Sequence, residues 1–265
     1  MSKIEEVIER LPDLPDSVFK LQKMRNDSTT EISEILEVLQ DDPFIIAKIM
    51  ELANSKLFGF TNKIESLNTA VSLYGINFTT ASAIFELINN TFNPNLEIYK
   101  ITKKRFFYLS EESIKLMLLW LKKSDLSTIE NLMIPCFISK IGTCLISDLI
   151  DSENKNEFNF EINQNPIKIS EIEKKFTRLS SSEITVMILE KWKFDEKTIS
   201  LIRNIDNPNS KESAILKILN IIFNPVLPFS KEVLLESLKL TRKYNLDENK
   251  LKEAIEEFVI LTKYK

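Results

Sequence analysis

No histidine occurs anywhere in the 265 residues. That absence excludes a Ser-His-Asp or Cys-His nucleophile system, any histidine-ligated zinc or iron, and histidine as general acid, base or proton shuttle. Glycine is nearly as scarce, present only as Gly59, Gly75 and Gly142. No stretch can therefore build a glycine-rich phosphate cradle of the dinucleotide-binding or P-loop kind. The two cysteines, Cys136 and Cys144, stand eight residues apart in one apolar segment. On a helix that spacing is about 12 Å of rise, too far for a local disulfide. Buried free thiols are expected, in keeping with a reducing cytoplasm. The charged opening, Met1-Ser2-Lys3-Ile4-Glu5-Glu6, does not read as a secretory signal. No uninterrupted apolar run approaches the ~20 residues of a membrane span. The expectation is a soluble, cytoplasmic chain with no membrane partner.

What is present is ordinary in bulk. At 43% hydrophobic and 28% charged residues, a chain of this length can bury a core without a metal or disulfide staple. The net charge of −4 argues against nucleic acid or an anionic membrane as the main partner. The cluster Lys103-Lys104-Arg105 reads as an exposed helical face.

Helical periodicity dominates and strand alternation is scarce. Asp16 opens a segment with Val18, Leu21 and Met24 apolar at spacing three. Ser28-Thr29-Thr30-Glu31 reads as a capping box ahead of Ile32, Ile35, Leu36 and Leu39. Asp42-Pro43 starts the next helix, with Ile46, Ile49, Met50 and Ala53 on one side, running out near Gly59. Ser66 starts a helix ending at Tyr74-Gly75, and Asn77 caps another through Ala81, Ile84, Phe85 and Ile88. Asn93-Pro94-Asn95 is a break between two lobes. Beyond it the pattern predicts helices over about 97–122 and 127–150, and a polar loop over 151–166. Ser170-x-x-Glu173 and Ser180-x-x-Glu183 read as capping boxes, and Asp195, Ser210, Ser230 and Asp247 as N-caps. The expected fold is all-α, with a lobe at 1–93, a helical core at 94–208, and helices at 209–265 that complete or extend it.

A series of short elements carries a resemblance. Leu11-Pro12-Asp13-Leu14-Pro15-Asp16 is followed by Asp41-Asp42-Pro43, then Leu52-Ala53-Asn54-Ser55 with Phe58-Gly59, then Ala70-Val71-Ser72-Leu73-Tyr74-Gly75. In this order they resemble the bacterial HDOD domain, the HD-related output domain, over roughly residues 8–208. The resemblance implies an HD-like helical core behind an N-terminal lobe. Its parent HD phosphohydrolases hold a divalent metal with histidines and aspartates, and the metal activates water. Set against their pattern, Ser139 and Lys140 of Phe137-Ile138-Ser139-Lys140-Ile141-Gly142 stand where the His-Asp pair would be. Leu109, Ser181, and Asn204 with Ile205 stand at the further histidine positions.

Leucine and isoleucine offer no lone pair, and a lysine repels a cation where a carboxylate would offset it. The resemblance therefore implies no metal, no cofactor and no catalytic residue. The expected function is a regulatory or output module in bacterial signal transduction, contacting protein partners, with a small ligand in the vestigial pocket as an option. Two alternatives belong to other classes: a metal-dependent phosphohydrolase or cyclic-dinucleotide phosphodiesterase, and a nucleic-acid-binding regulator. Lys140 could pair with an internal carboxylate such as Asp148, reach solvent, or meet an anionic ligand. Asn54 and Ser55, at a helix end, could contact a partner or satisfy orphan carbonyls.

Overall fold

The computed structural model describes residues 3–27, 29–40, 42–54, 63–121 and 125–262. Among them the chain is helical throughout, with no strand. It divides into two compact units, Pro12–Phe92 and Met1–Leu11 with Asn93–Lys265.

The smaller unit holds α2 (Asp16–Asn26), α3 (Ile32–Leu39), α4 (Pro43–Ala53) and α5 (Leu67–Thr91), with α2, α3 and α4 each packed on α5. Its starts follow from local chemistry. Asp42 caps α4 through the Ile45 N–H with Pro43 in the first turn, and Ser66 caps α5 through the Thr69 N–H. The capping box of α3 is Glu31 with Glu34 rather than the Ser28–Glu31 pair; Ser28 lies outside the described residues. The buried face of α4 is Ile45, Ile49 and Ala53, one position from the Ile46-based stripe, and the helix ends at Ala53. Gly59 lies outside the described residues. Gly75 adopts φ 84°, ψ 168° inside α5, a conformation that L side chains rarely take. The helix therefore kinks there, and its second half buries Ala81, Ile84, Phe85 and Ile88.

The larger unit runs α1 (Lys3–Glu9), α6 (Lys103–Leu121), α7 (Leu126–Ile138), α8 (Thr143–Leu149), α9 (Lys155–Gln164), α10 (Ile169–Thr177), α11 (Ser181–Lys191), α12 (Glu196–Arg203), α13 (Lys211–Ile222), α14 (Lys231–Lys243) and α15 (Glu248–Thr262). A lobe at 1–93 would include α1, but Lys191 on α11 draws it to this unit. Its Nζ donates to the carbonyls of Ile8, Glu9 and Leu11 at 2.8–2.9 Å. A cation there satisfies the orphan carbonyls at a helix end and opposes its dipole. Residues 209–265 belong to the same unit. α13 packs on α6 and α7, α15 packs on α6, and Phe258 joins a buried ring cluster with Phe223 and Phe229.

Three local expectations need correction. The segment 151–166 contains helix α9, because Phe158 and Ile162, four residues apart, are both fully buried. Residues 127–150 form two helices, broken at 139–142. Ser170 and Glu173 lie inside α10 and do not cap it, since its N-cap is Lys168. By contrast, Ser180 with Glu183 forms a capping box, and Asp195, Ser210 and Ser230 cap their helices. Asp247 accepts from the N–H groups of Asn249 and Lys250 at the start of α15. Two stretches, Leu67–Thr91 and Leu126–Leu149, are by mean hydropathy long and apolar enough to cross a membrane, although polar residues keep either from being an uninterrupted apolar run. They are 67% and 94% buried in the protein, and each is interrupted. Core helices have this composition too.

Candidate functional site

The break between α7 and α8 makes the site. Pro135 sits inside α7, which ends at Ile138, and the following turn presents Ser139 and Lys140 inward, both buried. Ser139 Oγ donates to Asn220 Oδ1 on α13 at 2.9 Å, while the Ser139 carbonyl accepts from Thr185 Oγ1 on α11 at 3.1 Å. The same Thr185 oxygen accepts the Gly142 N–H at 2.9 Å. α11 approaches so closely that a Cβ on Gly142 would lie 2.1 Å from the Ser181 carbonyl oxygen and 2.7 Å from the Thr185 nitrogen. Only glycine fits there.

Lys140 is 5% exposed, and its Nζ donates to Ser113 Oγ on α6 at 3.1 Å. Burial pushes its pKa down to about 8, against a small opposing effect from Cys136. Among the described residues it forms no ion pair. Asp148, one candidate partner, is exposed and accepts from Asn95 instead. Among the described residues no carboxylate holds this lysine. Cys136 and Cys144 are buried free thiols, as expected, and burial raises the Cys136 pKa to about 12.

Ser139, Lys140, Ser181 and Ile205 line one cavity of about 440 Å³. Leu109 and Asn204 do not line it. Leu109 is buried on α6, where its carbonyl accepts from Ser113 Oγ, the hydroxyl that meets Lys140. Asn204 caps α12 and donates to the Ser200 carbonyl. In the smaller unit, exposed Asn54 spends its amide within the chain. Its Nδ2 donates to the carbonyls of Met50 and Ile64, and its Oδ1 accepts the Ile64 N–H. Ser55 lies outside the described residues.

Four residues that the motif reading passes over also line the cavity: Glu173, Asp206, Lys217 and Asn220. Glu173 is fully buried and accepts from Tyr99 Oη and from the Ser181 N–H, each at 2.6 Å. Burial pushes its pKa up to about 7 in spite of these bonds. Asp206 accepts from the hydroxyls of Ser170, Ser180 and Ser182 at 2.8–3.0 Å, with Lys174 Nζ at 3.4 Å. Burial alone would raise its pKa, but the three hydroxyls and Lys174 outweigh it and hold the carboxyl below its ordinary value. Lys217 Nζ donates to the Asp206 carbonyl at 2.6 Å, and burial lowers its pKa. The signals were on the sequence: Asp206 directly follows Ile205, and the serines lie in segments whose pattern also fits helix caps.

These residues do not suit a divalent metal. Leu109 and Ile205 offer no donor, Lys140 brings a positive charge, and Asp206 and Glu173 already accept from donors of the chain. Among the described residues no three His, Cys, Asp or Glu side chains are grouped so as to hold an ion.

The model of the HDOD domain family matches residues 11–208. The chain belongs to the HDOD family. Solved structures agree on the fold. A Shewanella amazonensis SB2B protein described as a "Putative phosphohydrolase" is 18% identical with TM-score 0.72, over 97% of this chain and 94% of its own. An HDOD domain protein of unknown function from Geobacter sulfurreducens is 17% identical with TM-score 0.68, over 97% and 94%. A "Putative signal transduction protein" from Marinobacter aquaeolei VT8 is 14% identical with TM-score 0.69, over 98% of this chain and 59% of its own. At these identities the likeness extends to the HDOD fold alone. Curated proteins give no match.

Proposed function

We propose that this HDOD chain is a non-catalytic regulatory module of bacterial signal transduction, working in the cytoplasm through contacts with protein partners. One observation carries the reading. A buried lysine, Lys140, lines a cavity of about 440 Å³, at the position that the resemblance sets against the metal-binding carboxylate of the related HD enzymes. A cation at that point opposes metal-activated hydrolysis, whereas a formed polar cavity remains able to bind a ligand and bias the surface that a partner meets. The signalling description of the Marinobacter relative agrees with this role. The phosphohydrolase description of the Shewanella relative supplies the rival reading.

Phosphodiester hydrolysis separates the two. With manganese and either bis(p-nitrophenyl) phosphate or a cyclic dinucleotide, the rate should match the protein-free control. The double replacement Ser139→His and Lys140→Asp should be equally inactive, because positions 109, 181 and 205 still lack ligands. Turnover by the unaltered chain would overturn the reading.

A further inference from the structure

Lys140 and Lys217 are set in one cavity wall with most of their donor capacity unspent. An ammonium group has three N–H donors. Among the described residues, Lys140 uses one on Ser113 Oγ and Lys217 one on the Asp206 carbonyl, and neither forms an ion pair. Lys140 is buried and Lys217 half-buried; a buried charge without a counter-ion costs several kcal/mol, so such a group ordinarily meets an anion.

No carboxylate around the cavity is ion-paired to either lysine among the described residues, although Asp206 and Glu171 lie near enough to favour the charge on Lys217. Asp206 is taken by three serine hydroxyls and Lys174. Glu173 is held by Tyr99 and the Ser181 N–H. Glu236 pairs with Lys239 at 3.1 Å, and Glu171 is exposed at the rim. Beside the two lysines lies Asn220, whose Oδ1 receives the Ser139 hydroxyl, so its Nδ2 remains to donate. Three residues that line one space thus keep donors unspent: Lys140, Lys217 and Asn220. The 440 Å³ of that space falls among the volumes of small-molecule sites.

We propose that this cavity binds a small oxyanion, a phosphoryl or carboxylate group on a compact ligand, with Lys140 and Lys217 as its counter-charges and Asn220 as an added donor. The inference rests on the reading of the cavity as a binding site and not a hydrolytic centre. Occupation would supply Lys140 with the counter-charge that the described residues do not give it.

The test is calorimetric titration of the full chain with inorganic phosphate, pyrophosphate and citrate at constant ionic strength, with phosphate release followed in the pyrophosphate samples. Saturable binding of at least one probe is expected. It should weaken by about tenfold to a hundredfold in Lys140→Met and in Lys217→Met, the loss of one charge-assisted contact. Preference for citrate over the phosphates would assign a carboxylate ligand, and the reverse a phosphoryl one. Thermal unfolding without ligand should show Lys140→Met melting no lower than the unaltered chain, so that lost binding is not lost folding. Absence of saturable binding by all three probes would overturn the proposal, as would binding undiminished in Lys140→Met. Binding accompanied by phosphate release would leave the anion site standing and overturn the non-catalytic function. Absence of both binding and release would do the opposite.

Discussion

The two units bury polar groups in different ways. In the smaller one, the buried hydroxyls of Thr79, Thr80 and Ser82 donate to Gly75, Ile76 and Phe78, carbonyls of their own helix one turn back. Its cross-links are short-range: Tyr74 Oη to the Ala53 carbonyl, and Asn54 to Ile64. In the larger unit some buried hydroxyls, such as Ser237 and Thr241, do the same, but other polar atoms join elements far apart in the chain. Tyr99 reaches Glu173, Ser139 reaches Asn220, Gly142 reaches Thr185, and three serines from two helices share Asp206. Polar groups satisfied by their own helix are compatible with simple packing. Groups that need a partner from another element fix those elements in register and enclose a polar space. The difference locates the candidate site without reference to any motif.

Four substitutions sharpen or break that contrast. The largest effect is expected for Gly142→Ala, where the new methyl would overlap backbone atoms of α11 that cannot swing aside. Urea unfolding should show a loss of about 3 kcal/mol. A loss below about 0.5 kcal/mol would mean that the α8–α11 contact is loose.

Second is Lys140→Met, which removes a buried ammonium with one neutral partner and keeps similar volume. Stability at about pH 7 should rise by about 2 kcal/mol. The Lys140 pKa is depressed in the fold, from 10.5 to about 8. The cost of burying its charge is therefore complete below about 8 and relieved as pH rises toward 10.5. The gain of the variant should shrink over that window. A loss of stability at neutral pH would place a carboxylate beside the lysine.

Third, Tyr99→Phe removes a donor from Glu173 but keeps the ring against Phe158. A loss of about 1.5 kcal/mol is expected. Glu173 has a folded pKa raised from 4.5 to about 7. Its proton-linked stabilisation is present below about 4.5 and lost as pH rises through about 7. The variant should lose more at about pH 8, where the carboxylate is ionised, than at about pH 5. Equal losses would show that Glu173 keeps one protonation state over that range. The smallest effect belongs to Thr80→Val in the other unit, whose hydroxyl serves only its own helix. A change within about 0.5 kcal/mol is expected, and a larger loss would blur the contrast between the units.

Local rules and long-range ones were unequally legible. Capping at Asp42, Ser66, Ser180, Asp195, Ser210 and Ser230 depends on three or four neighbouring residues, and the sequence contains them all. The break at Gly75 was readable for the same reason, since few other residues adopt its backbone angles. α9 was hidden because only Phe158 and Ile162 mark its buried face amid polar residues. Ser170 and Glu173 fit a capping pattern, but their partners, Asp206 and Tyr99, lie 36 and 74 residues away. The same limit applies at the cavity. A family pattern could point to Ser139, Lys140, Ser181 and Ile205, but not to Lys217 or Asn220, which reach it only through the packing of α13.

The state of Lys140 decides most, because a buried lysine without a carboxylate separates a ligand cavity from a degraded salt bridge. Carbon-13 NMR of the full chain with labelled lysine ε-carbons, titrated through the alkaline range, reads that state directly. The account predicts one lysine titrating near 8, its signal absent from Lys140→Met. If the signal lost in that variant titrates at or above the ordinary lysine value of about 10.4, Lys140 is ion-paired or solvated, and the account of the cavity is wrong.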